Sequence, residues 1–160
     1  MQPASVMPDW IKTRADEIRR KAEEDRVERT RKADVAADLK ARTQPFWDTL
    51  VSDLKDTVRR FNEEFPEKER QIDQLEHKDP TVLLIRRTSY PAVYVKTVLN
   101  NAGTTVQYTI SITRRKGTDP TERQATFGFG IVDGEVGYVA DGVKTNEDVA
   151  RIFLEPFFEF

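Results

Sequence analysis

TVQYTISITRRK, residues 105–116, is the stretch of sequence that decides the fold. Its apolar residues alternate with polar ones as far as residue 112, and this period of two predicts a strand with one buried and one exposed face. Residues 122–132 alternate in the same way. We expect the apolar sides of both strands to form the core face of a sheet: Val106, Tyr108, Ile110, Ile112, Phe127, Phe129 and Ile131.

Three further stretches complete the predicted sheet. Residues 81–88 and 92–99 are rich in β-branched and apolar side chains, and residues 135–140 have the length of a short last strand. The links between successive strands are short, and one of them, Asp133-Gly134, is a strong hairpin signal. Short links between neighbouring strands predict an antiparallel meander of about five strands.

A conventional amphipathic helix precedes these strands. Apolar residues from Trp47 to Phe65 recur every three or four positions, polar residues occupy the other face, and Pro66 ends the pattern. Because an apolar stripe must be covered, we expect the sheet to curl around residues 46–65. Residues 67–79 are polar and leave a short helix, an edge strand and a loop as open alternatives.

A short second helix is predicted after the sheet. Thr145 and Asp148 approximate a capping box, and Pro156 ends the helix. The apolar residues 157–160 are expected to fold back onto the core or to join an interface. The predicted fold class is therefore α+β: a long N-terminal helical arm, an amphipathic helix packed on a curved antiparallel sheet, and a short C-terminal helix.

The first part of the chain has a different character. Residues 9–43 are densely charged and contain no proline or glycine. Several acids precede a base by four positions, as in Asp16–Arg20 and Glu28–Lys32, an arrangement that supports a helix, here capped by Asp9. If straight, this helix would extend about 50 Å at 1.5 Å per residue, so we expect part of it to project.

Thr43-Gln44-Pro45 marks the predicted end of this arm. Proline fits the first turn of a new helix, so the tripeptide indicates a kink or a restart. We therefore divide the chain into a charged helical arm, residues 1–44, and an α+β globular domain, residues 45–160.

Composition excludes several classes of function. The net charge of −2 provides no basic field that would attract nucleic acid or anionic lipid. Because the chain has no cysteine, a disulfide scaffold, a thiolate zinc site and a cysteine nucleophile are excluded. The N-terminal residues do not read as a secretory signal, and no run approaches the roughly 18 apolar residues of a membrane span. We expect a soluble, cytoplasmic protein.

The sequence contains no recognisable catalytic constellation. His77 is the one histidine, and it lies between Glu76 and Lys78 in a polar stretch that is typical of a solvated side chain. Ser-His-Asp catalysis would require this histidine, and no serine lies in a nucleophile-elbow motif. The carboxylates show no metal-ligand spacing. We therefore predict a protein that is not an enzyme and that has no metal and no cofactor.

The arm carries the first of three functional hypotheses. Four of its apolar residues are candidates for docking a partner protein or a second copy of the chain: Trp10, Ile11, Ile18 and Leu39. The alternative is a solvated helix that is stabilised only by its charges. A heptad through the arm fails where Asp25, Arg29 and Lys32 occupy the seam, and this disfavours a continuous dimeric coiled coil.

The globular domain carries two alternative hypotheses. One is a small apolar ligand held between sheet and helix by four aromatic residues: Tyr94, Tyr108, Phe127 and Phe129. The other is weak binding of single-stranded nucleic acid by basic strand ends close to tyrosines: Arg86, Arg87, Arg114, Arg115 and Lys116. Basic strand ends also protect sheet edges from aggregation, and the acidic net charge disfavours nucleic acid.

Overall fold

A computed structural model describes residues 8–139 and 142–160. These residues fall into two units that divide between Asp38 and Leu39. The predicted α+β class is confirmed. The elements are α1 (Asp9–Glu64), β1 (Gln74–Glu76), β2 (Val82–Arg87), β3 (Ala92–Leu99), β4 (Thr105–Thr113), β5 (Thr121–Val132), β6 (Glu135–Tyr138), α2 (Asn146–Leu154) and a 3-10 helix (Glu155–Phe158).

The sheet is an antiparallel meander in which each strand pairs with the next one along the chain. It has six strands rather than about five, because β1 forms within the polar stretch whose structure the sequence left open. The long strand β5 pairs with β4 through its first part and with β6 through its last four residues. The predicted last strand ends at Tyr138, and Ala140 lies outside the described residues.

The core of the second unit lies between one face of the sheet and two helices. Alternate residues of β4 are buried there, among them Val106, Tyr108 and Ile110, as the period of two predicts. Ile112 is half-buried at the margin of this core. Ile131 is 45% exposed, so its predicted place in the core is wrong. It lies beside the β5–β6 turn and pairs with β6 alone, where the strand has passed the core.

Helix α1 continues through Pro45, so the predicted restart is wrong. Proline has no N–H to donate to the carbonyl four residues earlier. Contacts on both sides of Pro45 compensate for the missing bond. Thr43 is fully buried, Arg42 donates to the Gly134 carbonyl at 2.5 Å, and the Trp47 indole donates to the Pro80 carbonyl at 2.9 Å.

The turn between β3 and β4 also contacts the helix near Pro45. Gly103 in this turn has φ +72°, a left-handed conformation that favours glycine. A Cβ at this position would lie 2.4 Å from the Thr43 hydroxyl oxygen. Glycine therefore meets two requirements here, the turn geometry and the close approach of the turn to α1.

Residues 8–38 contain no buried residue. The Pro8 carbonyl accepts the first helical hydrogen bonds, from Ile11 and Lys12, so Asp9 lies in the first turn instead of capping the helix. The predicted ion pairs of this segment join an acid to a base four residues later, and the observed ion pairs have a different spacing. Most are three residues apart, as in Arg26–Glu23 at 2.5 Å and Arg31–Glu28 at 2.6 Å, because the fork of arginine reaches back one turn.

Candidate protein-interaction surfaces

Three of the four apolar residues predicted to bind a partner are exposed in the first unit. Trp10 is 72% exposed, Ile18 59% and Ile11 37%. Leu39, the fourth, belongs to the second unit, where it is half-buried. Leu39 therefore lies outside the unit that carries the other three.

Ile11, Ala15 and Ile18 lie on one face of the helix, since they are separated by four and three residues. Trp10 lies next to them, and we call these four residues the arm stripe. At about 100° per residue, basic side chains lie on both sides of Ile11, Ala15 and Ile18, whereas Asp16 lies on the opposite half of the helix. These basic residues are Arg14 and Lys21 along one border and Lys12 and Arg19 along the other. Glu17 lies beside Trp10 and pairs with Arg14 at 3.4 Å. Residues 10–21 contain five basic and two acidic residues in all.

A groove of about 550 Å³ lies on the second unit, between α1 and the pair formed by α2 and the 3-10 helix. Both walls are helical stripes with the same spacing of three and four residues. The first wall comprises Asp53, Asp56, Thr57, Arg60, Phe61, Glu64 and Phe65, and the second Asn146, Glu147, Ala150, Arg151, Leu154, Glu155 and Phe158. We call it the interhelical groove.

The floor of the groove is apolar and its rim is acidic. Phe61, Phe65, Ala150, Leu154 and Phe158 supply the apolar surface. The rim has five carboxylates and two guanidinium groups: Asp53, Asp56, Glu64, Glu147, Glu155, Arg60 and Arg151. This surface is therefore chemically complementary to a basic amphipathic helix.

Ion pairs neutralise only part of the rim. Asp56 lies 3.1 Å from Arg60 and accepts a hydrogen bond from Arg59, which holds the pKa of that carboxyl below its ordinary value. Arg151 lies 2.9 Å from Glu147. Glu64 and Glu155 are exposed, and neither takes part in an ion pair among the described residues. Negative charge therefore remains on both walls.

The two ends of the groove have different chemistry. At one end the Asn146 amide donates to Asp53 at 2.8 Å and accepts from the Tyr138 hydroxyl at 2.5 Å. Burial, and then the nearby carboxylates, raise the pKa of Tyr138, so its hydroxyl remains a donor. At the other end Phe158 lies 5.1 Å from Phe61 and 5.9 Å from Phe65 between ring centroids, both edge to face. One end is thus polar and acidic, and the other is aromatic.

The four residues predicted to line a ligand pocket do not come together. Tyr108, Phe127 and Phe129 are at most 6% exposed and pack in the core, with the Phe127 ring 6.1 Å from Tyr108 and 5.8 Å from Phe129. Tyr94 lies on the opposite face of the sheet, because it alternates with the buried Val93 and Val95. The aromatic rings of the core contact one another where the hypothesis places a ligand.

The predicted basic patch is divided between a buried and an exposed part. Arg87 is only 1% exposed. Its guanidinium donates to the carbonyls of Pro91, Phe157 and Glu159 at 2.8–3.0 Å and to that of Arg70 at 3.3 Å. Burial lowers the pKa of this guanidinium, while Glu159 and Asp73 oppose that effect.

The exposed part of the patch is also weakened. Arg114 lies 2.7 Å from the Glu159 carboxylate, which neutralises its charge. Arg86, Arg115 and Lys116 are exposed. Arg86 and Glu122 lie on the same outward face of the sheet, in one row of paired residues that also contains Tyr94. The five basic residues therefore do not form a continuous surface, and the nucleic-acid hypothesis loses its main support.

The His77 side chain is half-buried, and its Nε2 lies 3.3 Å from the Pro80 carbonyl oxygen. Within the described ranges, no three histidine or carboxylate side chains are grouped as a metal site would require. Among residues 8–139 and 142–160, no helix combines the length and the apolar character that a membrane crossing requires.

Comparison of the chain with protein-family models, with curated proteins and with solved structures found no match. Any functional proposal therefore depends on the geometry of the chain itself. The sequence had indicated the arm stripe but not the interhelical groove. The sequence does contain a signal for the groove. In residues 53–65 and in residues 146–158, further apolar residues lie beside the apolar stripe with which the helix packs on the core.

Proposed function

We propose that this protein is a non-enzymatic interaction module that self-associates through the arm stripe. The observation that carries the proposal is the exposure of Trp10, at 72%, on a segment in which no described residue is buried. Large apolar side chains that are grouped on one face of an exposed helix are typical of a protein interface. Trp10 and Ile18 are the two most exposed members of that face.

Charge supports this assignment of the arm stripe. A helix that is stabilised by its own ion pairs requires no tryptophan or isoleucine on its surface. Tryptophan is also among the residues that contribute most to the energy of protein interfaces. The stripe therefore supplies the apolar contact, and its basic borders select an acidic partner surface.

The proposal is tested by light scattering across a dilution series of the full chain. We expect a concentration-dependent increase in mass, which the double substitution Trp10→Ala with Ile18→Ala abolishes. The matched control is Val27→Ala with Val35→Ala, because these valines are 53% and 58% exposed on the same segment but lie outside the stripe. A chain that stays monomeric at every concentration, or a control that dissociates the assembly equally, would overturn the proposal.

A further inference from the structure

The interhelical groove and the arm stripe are complementary in four respects: apolar surface, charge, length and polarity. We propose that the groove of one copy binds residues 10–21 of a second copy. This inference rests on the proposed self-association, and it names the surface that receives the arm. It competes with a pairing of two arm stripes with each other.

Apolar surface is the first match. The groove has a floor of phenylalanine, leucine and alanine between two helices, a shape that accepts a third helix by ridges-into-grooves packing. Phe158 is 50% exposed, although it belongs to the wall of the groove. The arm stripe presents Trp10, Ile11 and Ile18, each at least 37% exposed. Binding of the arm stripe in the interhelical groove therefore buries exposed apolar side chains of both surfaces.

Charge is the second match. Residues 10–21 have five basic and two acidic residues, and four of the basic ones lie beside Ile11, Ala15 and Ile18. Arg14 and Arg19 lie 3.4 and 3.7 Å from acids of the same segment, whereas Lys12 and Lys21 take part in no ion pair among the described residues. The groove has five carboxylates and two guanidinium groups along its two walls. When the stripe lies on the floor, its basic borders reach both acidic walls. Pairing two arm stripes would instead bring basic borders together, a repulsive arrangement.

Length and polarity complete the match. Residues 10–21 form a helix of about 18 Å, and the α1 wall, residues 53–65, is about 20 Å long at the same rise per residue. Arg19, Arg20 and Lys21 are consecutive at one end of the arm segment, and Trp10 is at the other. The basic triplet therefore binds at the acidic end of the groove, and Trp10 binds at the aromatic end. In this orientation the bound segment runs antiparallel to the α1 wall.

Charge reversal distinguishes this groove from the competing arm pairing. The arm variant is Lys12→Glu with Arg14→Glu, and the groove variant is Glu64→Lys with Glu155→Lys, which changes two exposed residues. We expect each variant alone to raise the dissociation constant of the self-association roughly a hundredfold. The chain that carries all four substitutions is expected to regain most of the affinity, because the opposite charges are restored.

The control variant is Arg29→Glu with Lys32→Glu, two exposed residues outside the bound segment 10–21. It changes the net charge as the arm variant does, but its residues lie away from the stripe, and we expect its affinity to remain within about threefold of the parent chain. If the groove variant associates as tightly as the parent while the Trp10 and Ile18 substitutions still dissociate it, self-association stands and the groove is overturned. If no variant changes the mass, both proposals fail.

Cysteine cross-linking gives a second measurement that does not depend on charge. The chain contains no cysteine, so introduced thiols have no competitor. Ala15→Cys lies midway along the stripe and Ala150→Cys midway along the groove. A mixture of the two single variants is expected to form a mixed disulfide under oxidation. Thr13→Cys, about 160° around the helix from Ala15, is expected not to cross-link with Ala150→Cys. Equal cross-linking by Ala15→Cys and Thr13→Cys would overturn the groove.

Discussion

Helix α1 contains two segments of one element that are stabilised by different interactions. From Trp47 to Phe61 each apolar stripe residue is at most 7% exposed, and Trp47, Leu50 and Leu54 are fully buried. From Asp9 to Asp38 the helix buries nothing, and surface ion pairs take the place of packing. A continuous helix can therefore contain segments that contribute very differently to the free energy of unfolding. Burial contributes kilocalories per side chain, whereas an exposed pair contributes a few tenths.

A substitution in the core of the second unit is expected to lower the free energy of unfolding most. Phe153 is fully buried, 5.3 Å from Tyr108 and 6.2 Å from Phe127 between ring centroids. We expect Phe153→Ala to lower the free energy of unfolding by about 3–5 kcal/mol, because it removes buried surface and leaves a cavity. Val27→Ala in the first unit, where the side chain is 53% exposed, is expected to stay within about 0.5 kcal/mol.

Chemical denaturation of both variants measures this difference. Equal losses in the two would show that residues 8–38 are stabilised by packing after all. In that case the arm stripe would be a structural surface, and the proposal of self-association would lose its main observation.

An intermediate effect is expected at two neighbouring arginines of β2. Arg87 donates to four backbone carbonyls from a buried position, whereas Arg86 is exposed. Arg87→Lys should lower the free energy of unfolding by about 2 kcal/mol, because an ammonium group does not reproduce the fork of donors and leaves buried carbonyls unpaired.

Arg86→Lys is the matched control, and we expect a change within about 0.5 kcal/mol. The same denaturation measurement applies to both. A loss for Arg87→Lys as small as that for Arg86→Lys would mean that water, rather than Arg87, satisfies the carbonyls in solution.

The last prediction is a weak pH dependence of the helix in the first unit. Hydrogen bonds from Arg26 and Arg31 hold the pKa of Glu23 and of Glu28 below the ordinary value of 4.5. Because the folded-state pKa is lowered, the stabilisation is fully present above the ordinary value and is lost as the pH falls through the lowered one.

Backbone Cα chemical shifts measure this dependence residue by residue. We expect the helical shifts of residues 23–31 to weaken as the pH falls from 6 to roughly 3, in the range where carboxylates titrate. Residues 47–54 of the same helix, which are held by burial, serve as the internal control. Shifts at residues 23–31 that do not change with pH would show that the ion pairs do not support the helix.

Periodicity predicted the elements, whereas the outcome for single residues depended on tertiary contacts. The alternation of β4 placed Val106, Tyr108 and Ile110 correctly. Ile131 continues the alternation of β5 but lies beyond the part of the strand that the helices cover. The sequence pattern does not show how far along β5 the helices cover the sheet.

The positions of the candidate site residues also depend on tertiary contacts. Arg86 and Arg87 look equivalent in sequence, yet successive residues of a strand face opposite sides, and Arg87 meets the carbonyls of Phe157 and Glu159. Tyr94 and Tyr108 were grouped by residue type, although the register places them on opposite faces. The exposed Trp10 was predictable from the charge pattern around it. The interhelical groove was not, because it requires the contact between two helices that are about 80 residues apart in the sequence.

Arg87 also affects the order in which the second unit folds. Two of its four carbonyl acceptors belong to Phe157 and Glu159, which follow it by 70 and 72 residues. During synthesis β2 and β3 become available while this cation has only its nearer acceptors, those of Arg70 and Pro91. Contacts between residues so distant in sequence close late. The second unit is therefore expected to reach its native state only after residues 157–159 have left the ribosome and can accept the hydrogen bonds of Arg87.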